Sequence, residues 1–179
     1  MVEEQDDILF CSEDDETQAS LPGWKVLIVD DEDDVHRATV FAMRNLLVAG
    51  RPLEFLHAHS AAEARTLLAN ETGIAVVLLD VVMEKVDAGL ELVRDIRDRL
   101  NLLEVRIILR TGQPGYAPEM EVVRDYDIND YKTKAELTRI KLYTTLTAAI
   151  RSYNQLHVIS ASRRGLDLIV RGSARLLAE

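Results

Sequence analysis

Residues Ile74 to Leu79 read IAVVLL, without a single polar side chain, between Gly73 and Asp80. Side chains of a β-strand point alternately to opposite faces of its sheet. An all-apolar run of this length must therefore be covered on both sides. That requirement is met by an interior strand of a parallel sheet with helices packed on each face, and few other architectures meet it.

The rest of the chain supplies the partners. Lys25–Val29 is a second short branched run, and Leu53–Ala58 and Val105–Leu109 suit strands as well. Ile128–Lys132 reads as a short fifth one. Between them, Val35, Thr39, Ala42 and Leu46 recur at helical spacing over Asp33–Leu47, and Gly50, Arg51 and Pro52 break the pattern. Ser60 followed by Glu63 is a capping box for a helix to about Ala69. Leu90, Val93, Ile96 and Leu100 mark a helix over Ala88–Leu100, Pro118–Tyr126 suits another, and Thr133 with Glu136 can cap a last one running through Leu137, Ile140, Leu146 and Ile150. Strands alternating with helices predict an α/β fold, a flavodoxin-like (βα)5 doubly wound parallel sheet of order 2-1-3-4-5 with a C-terminal helical extension.

The bulk properties narrow the function. The chain has 179 residues, 47% hydrophobic and 29% charged, with a formal net charge of -10. Such a field repels phosphate, so neither nucleic acid nor an anionic membrane is an expected partner. No run approaches the roughly 20 apolar residues of a membrane span, and the N-terminus lacks a signal-peptide pattern, so a cytoplasmic location is expected. A single cysteine, Cys11, fits a reducing compartment and receives no role. Residues 1–23 carry eight acids and no Lys or Arg, the composition of a disordered leader. The folded domain is expected over 24–153 and a helical linker over 154–179.

In doubly wound sheets ligands sit beyond the carboxyl ends of the strands, where the strand order reverses. The first strand ends at Asp30 and Asp31, and the third at Asp80. If those strands are neighbours, three carboxylates converge. Two unit charges about 5 Å apart repel by roughly 3 kcal/mol at an effective dielectric near 20. A hard divalent cation such as Mg²⁺ removes that cost and takes oxygen ligands. The fourth strand brings Thr111 to the same rim, and Lys132 and Lys134 follow the fifth. A hydroxyl, an ammonium, a metal and a central Asp suit a phosphoryl group held on Asp80.

The stretches VLIVDDE, VVLLDVVM, ILRTG and DYKTK, in this order at strand ends, resemble the receiver domain of two-component response regulators over Trp24 to about Tyr153. The resemblance implies that Asp80 accepts a phosphoryl group from a sensor histidine kinase or a phosphotransfer protein. It also implies that Asp30, Asp31, Asp80 and the Val82 carbonyl bind Mg²⁺, that Thr111 reaches the phosphoryl oxygens, and that Tyr131 is the switch aromatic. Lys134, three residues after the aromatic, fits the family lysine. Because Ala135 stands where the family usually has proline, Lys132 stays a rival. RPLEFLHAHSAAEAR and YDINDYKTKAELT further resemble the receivers that precede a signalling helix and an HD-GYP-type cyclic-di-GMP phosphodiesterase domain. That likeness implies an N-terminal portion of a longer protein, with the effector enzyme outside this chain and no enzyme within it.

Departures and rivals follow from single positions. Val82 cannot orient water toward Asp80, which predicts slow loss of the phosphoryl group unless Gln113 compensates. Glu84 replaces a frequent proline, and the stretch to Gly89 is one residue long. A Mg²⁺-dependent aspartyl phosphohydrolase would want a second Asp where Val82 stands. A degenerate receiver serving as an interaction module is the other alternative. His36, His57, His59 and His157 show no ligand-like pairing, and surface or packed positions are expected of them rather than zinc. Ile159, Leu166 and Ser173, with Ser162, Ile169 and Leu176, recur every seven residues. The seam suits pairing of two chains into a homodimer, against a helix that packs on its own domain.

Overall fold

The computed structural model describes residues 22–112, 126–134 and 138–176. The leader up to Leu21, residues 118–125 of the expected fourth helix, Gln113 and the Ala135–Leu137 stretch lie outside the described residues. In chain order the elements are β1 (Trp24–Val29), α1 (Asp33–Met43), β2 (Leu47–Val48), β3 (Arg51–Ala58), α2 (Ala61–Asn70), β4 (Ile74–Asp80), α3 (Ala88–Arg94), β5 (Arg106–Thr111), β6 (Asp130–Thr133) and α4 (Arg139–Leu176). The sheet runs β2-β3-β1-β4-β5-β6. Five strands are parallel in the expected order, and β4 is interior and buried at all seven positions.

Alternation along the strands divides the core in two. Leu27, Val29, Val77, Leu79, Ile107 and Leu109 face α2 and α3. Val26, Ile28, Val76, Leu78 and Ile108 face α1 and α4. Ser60 caps α2, its hydroxyl accepting from the Glu63 amide at 3.2 Å, while the Glu63 carboxylate reaches back to the His59 amide at 2.7 Å.

The strand expected from Leu53 begins at Arg51 and the one expected to end at Leu109 runs to Thr111; four other boundaries differ from expectation, each for a local reason. The first helix stops at Met43, not Leu47: the backbone turns left-handed at Asn45 (φ 61°), and Leu47–Val48 pair antiparallel with β3 as a sheet edge. Buried Val48 there accepts a hydrogen bond from the Trp24 indole at 2.9 Å. Residues Asp95–Arg99 widen into a π-type turn, and the Asp95 carboxylate pairs with Arg65 of α2 and with Arg99. The last strand begins at Asp130 rather than Ile128, because Asn129 uses its side chain and amide to bridge Ile107 at 2.7 and 2.8 Å. Thr133 belongs to β6, and the last helix is instead capped by Thr138, whose hydroxyl accepts from the Lys141 amide at 3.4 Å.

α4 packs through Leu142, Leu146, Ala149, Ile150 and Tyr153 and then continues without interruption. Val158, Ile159 and Leu166 are exposed. No described helix is long and apolar enough to cross a membrane.

The loop from Val81 to Asp87 returns under β4, where the Gly89 amide donates to the Val81 carbonyl at 3.2 Å. A Cβ on Gly89 would stand 2.1 Å from the Asp80 carbonyl oxygen and 2.8 Å from the Val81 Cα. Backbone cannot yield there cheaply. Gly89→Ala is expected to destabilise the protein by about 2–3 kcal/mol, read from urea unfolding midpoints against wild type.

Candidate functional site

The register places the site. Val29 of β1 is level with Leu79 of β4, so Asp30 and Asp80 emerge side by side, and Asp80 is paired with Arg110 of β5. Oxygens of Asp30, Asp31, Glu32 and Asp80 all lie within 4.8 Å of one another. Asp30 is 0% and Asp80 3% exposed, whereas Asp31 and Glu32 face solvent.

Lys134 stands among these acids. Its Nζ lies 2.9 Å from Asp80 Oδ2, 2.8 Å from Glu32 Oε1 and 3.2 Å from Asp30. Burial pulls this ammonium down, but the carboxylates of Glu32, Asp80 and Asp30 outweigh it, and its pKa stands above the ordinary lysine value. Burial acts on Asp80 in the other direction: it raises the carboxyl, against the ammonium of Lys134, and the charge of Asp30 adds to the rise. The ionised, metal-free cluster is therefore costly even with its lysine. Lys132 does not join it and pairs with Asp130 at 3.1 Å.

The remaining expected residues surround this group. Thr111 ends β5, 1% exposed, level with Thr133 of β6. Val82 donates its amide to Asp80 Oδ1 at 3.4 Å. Tyr131 is buried in the core on the α2 and α3 side. The Glu84 carboxylate accepts from the Ala61 amide at the start of α2, at 3.2 Å. A hard divalent cation fits the donor set: the ligands are oxygens, and buried Asp30 Oδ2 has no hydrogen-bond partner.

Three features were not foreseen. Glu32 joins the cluster. Arg110 lies behind it, its Nη2 3.5 Å from Asp30 Oδ2. The histidines are not scattered: His36 of α1 meets His57 of β3 with Nδ1 atoms 2.9 Å apart, and the His59 ring lies 4.4 Å from that of His36. Their distance in the sequence hid a contact that the α1 to β3 packing creates. The other ring nitrogen of buried His36 donates to the Asp30 carbonyl at 2.8 Å, which braces the backbone of the acidic turn. His157 stacks on Tyr153 and contacts Glu104 at 2.8 Å.

The comparisons agree with this layout. The sequence matches the family described as the response regulator receiver domain over residues 26–158, and a domain of unknown function over 146–179. It is 44% identical over 153 residues to the 3'3'-cGAMP-specific phosphodiesterase 2 of Vibrio cholerae, an alignment covering 86% of this chain and 29% of that protein. Among solved structures, a CheY-like response regulator receiver domain protein from Methanospirillum hungatei superposes with a TM-score of 0.60 at 19% identity, covering 74% of this chain and 98% of its own. The signal receiver domain of an HD domain-containing protein from Pseudomonas fluorescens gives 0.61 at 21%, with the same coverages. At such identities these two structures establish a shared fold.

Replacing Lys134 by Met leaves buried carboxylates facing one another and is expected to lower metal-free stability by about 1–3 kcal/mol. Lys132→Met is expected to stay within about 0.5 kcal/mol of wild type. Since the Lys134 pKa is raised, its contribution is complete below the ordinary value of 10.5 and is lost only as pH climbs beyond it. Denaturant melts of both variants near neutral pH, with and without Mg²⁺, check this, and the cation should restore most of the Lys134→Met loss.

Proposed function

The chain belongs to the response regulator receiver family, and from that premise we propose that Asp80 is the acceptor of a phosphoryl group delivered by a histidine kinase or phosphotransfer protein. The observation that carries this reading is the Lys134 ammonium 2.9 Å from a buried Asp80 carboxylate, inside a cluster of further acids. Asp30, Asp31, Asp80 and the Val82 carbonyl would hold Mg²⁺, which when bound offsets charge on the transferring group.

The chain's own residues do the rest. An oxygen of Asp80 attacks phosphorus in line, the phosphorus–nitrogen bond of the donor phosphohistidine breaks, and the departing imidazole takes up a proton. Lys134 neutralises an oxygen of the transferred group, and its place beside Asp80 needs no rearrangement for that. Thr111, at the adjoining strand end, supplies a hydroxyl to the new acyl phosphate. As Thr111 is drawn toward it, Tyr131, already buried in the core, fills the space behind, biasing two pre-existing conformations.

Intact mass after treatment with acetyl phosphate and Mg²⁺ tests the assignment. Wild type is expected to gain one phosphate and Asp80→Asn none. No gain in wild type would leave a degenerate receiver acting as an interaction module.

The output reading rests on the similarity to the Vibrio phosphodiesterase and on α4. The chain spans 29% of that relative, so the effector, a cyclic-dinucleotide phosphodiesterase, would stand beyond this chain. The exposed apolar side chains Val158, Ile159 and Leu166 give α4 a seam for a second copy, with Ser162 and Gly165 weakening it. The intact chain is expected to shift from monomer toward dimer mass with rising concentration in light-scattering elution. A monomer throughout the micromolar to millimolar range would remove the pairing.

A further inference from the structure

Arg110 is a permanent cation in the middle of the fold, 2% exposed, one residue before Thr111. By the alternation that sends Ile108 toward α1, Arg110 points to the same face as Asp30 and Asp80. Its Nη1 donates to Thr39 Oγ1 at 3.1 Å, and that hydroxyl donates to the Val35 carbonyl at 2.7 Å. Its Nε and Nη2 are buried and make no hydrogen bond.

This fold can satisfy a buried guanidinium when nothing else is asked of it. Arg106, on the same strand, donates to the carbonyls of Glu104 at 2.8 Å and Leu103 at 2.6 Å. Arg110 instead sits 3.5 Å from Asp30 Oδ2, itself without a hydrogen-bond partner. At that distance the contact is one of charge more than of hydrogen bonding. Burying an ion costs several kcal/mol unless it is compensated, and the compensation here comes first from the Asp30 carboxylate and then from that of Asp80.

We propose that Arg110 is a positioning residue, an internal counter-ion that holds Asp30 in the absence of metal and competes with a divalent cation for it. The inference rests on the cation-binding reading of the acidic cluster. Lys134 Nζ stands 3.2 Å from both oxygens of Asp30, and Arg110 Nη2 3.5 Å from Oδ2, so an arriving cation meets a carboxylate already facing two positive charges. A small cleft of about 160 Å³, bounded by Val35, Thr39, Arg110, Lys134 and Leu142, lies beside the guanidinium and gives it room to move off Asp30 while it keeps its hydrogen bond to Thr39. Because Arg110 precedes Thr111 on β5, its withdrawal is felt at the strand end that carries the switch hydroxyl.

Titration calorimetry of the intact chain with Mg²⁺ tests this, alongside melts of the metal-free proteins. Arg110→Met is expected to bind Mg²⁺ about tenfold more tightly than wild type, since a like charge near the ion is gone, and to melt at lower temperature without metal. Arg110→Lys keeps the charge and is expected to stay within about threefold of wild type. Arg110→Gln, which keeps a donor for Thr39, serves as a second charge-removing variant where the Met variant does not fold. Equal or weaker Mg²⁺ binding by the charge-removing variants, with wild type binding normally, overturns the inference alone. No binding by wild type overturns the site reading and this inference with it.

Discussion

Everything at the functional rim follows from the placing of Asp30 beside Asp80. Adjacent parallel strands bring their carboxyl ends level, and two buried carboxylates there repel with nothing nearby in sequence to neutralise them. The chain answers with Lys134, which is 104 residues from Asp30. One ammonium thereby ties the segment after β6 to the tip of β1. Placement of the segment after β6 and the electrostatics of the site are coupled through that one ammonium.

Two physical connections lead from that rim toward α4. Lys134 stands four residues before Thr138, the residue that caps the helix. At the opposite end of the sheet, β5 starts just after Glu104, whose carboxylate contacts His157 at 2.8 Å and Arg164 at 3.7 Å, both on α4. β5 is buried at every position and cannot bend easily. The rim residue Thr111 and the Glu104 contact with α4 thus lie at and just beyond the two ends of one fully buried strand. Largely solvent-facing ion pairs such as those of Glu104 with His157 and Arg164 are weak.

The fold was legible wherever burial wrote a period into the sequence. β1, β4 and β5 are apolar on both faces, so their positions and order followed, and the capping box at Ser60 marked the start of α2. What was not legible depended on single backbone conformations or distant partners. The end of α1 turns on Asn45 in a left-handed conformation, which no apolar spacing announces. β2 has only two residues, too short to show alternation. Thr133 looks in the sequence like the cap of the last helix, but it pairs with β5 as part of β6, and Thr138 caps the helix instead.

At the site, the sequence exposed the three aspartates because acids abruptly ending apolar strands are conspicuous, and it put Lys134 within reach while leaving Lys132 open. The spatial choice between them came from β6, where Lys132 turns back to Asp130. Glu32 was hidden among neighbours of the same charge. Arg110 left a signal that went unused: a cation inside IILRT, on a strand otherwise apolar at its centre, must find a buried anion, and by parity with Ile108 it had to seek one on the α1 face, where Asp30 also points. Counting it changes the charge of the site. Four carboxylates against two fixed cations leave a formal excess of two negative charges, which one divalent cation balances. Without Arg110 the excess would be three, and a single Mg²⁺ would leave the cluster anionic when the proposed phosphoryl group would bring more negative charge to Asp80. An arginine that would weaken metal binding would thus also make the loaded site electrically neutral, and so more receptive to the anion it would have to accept.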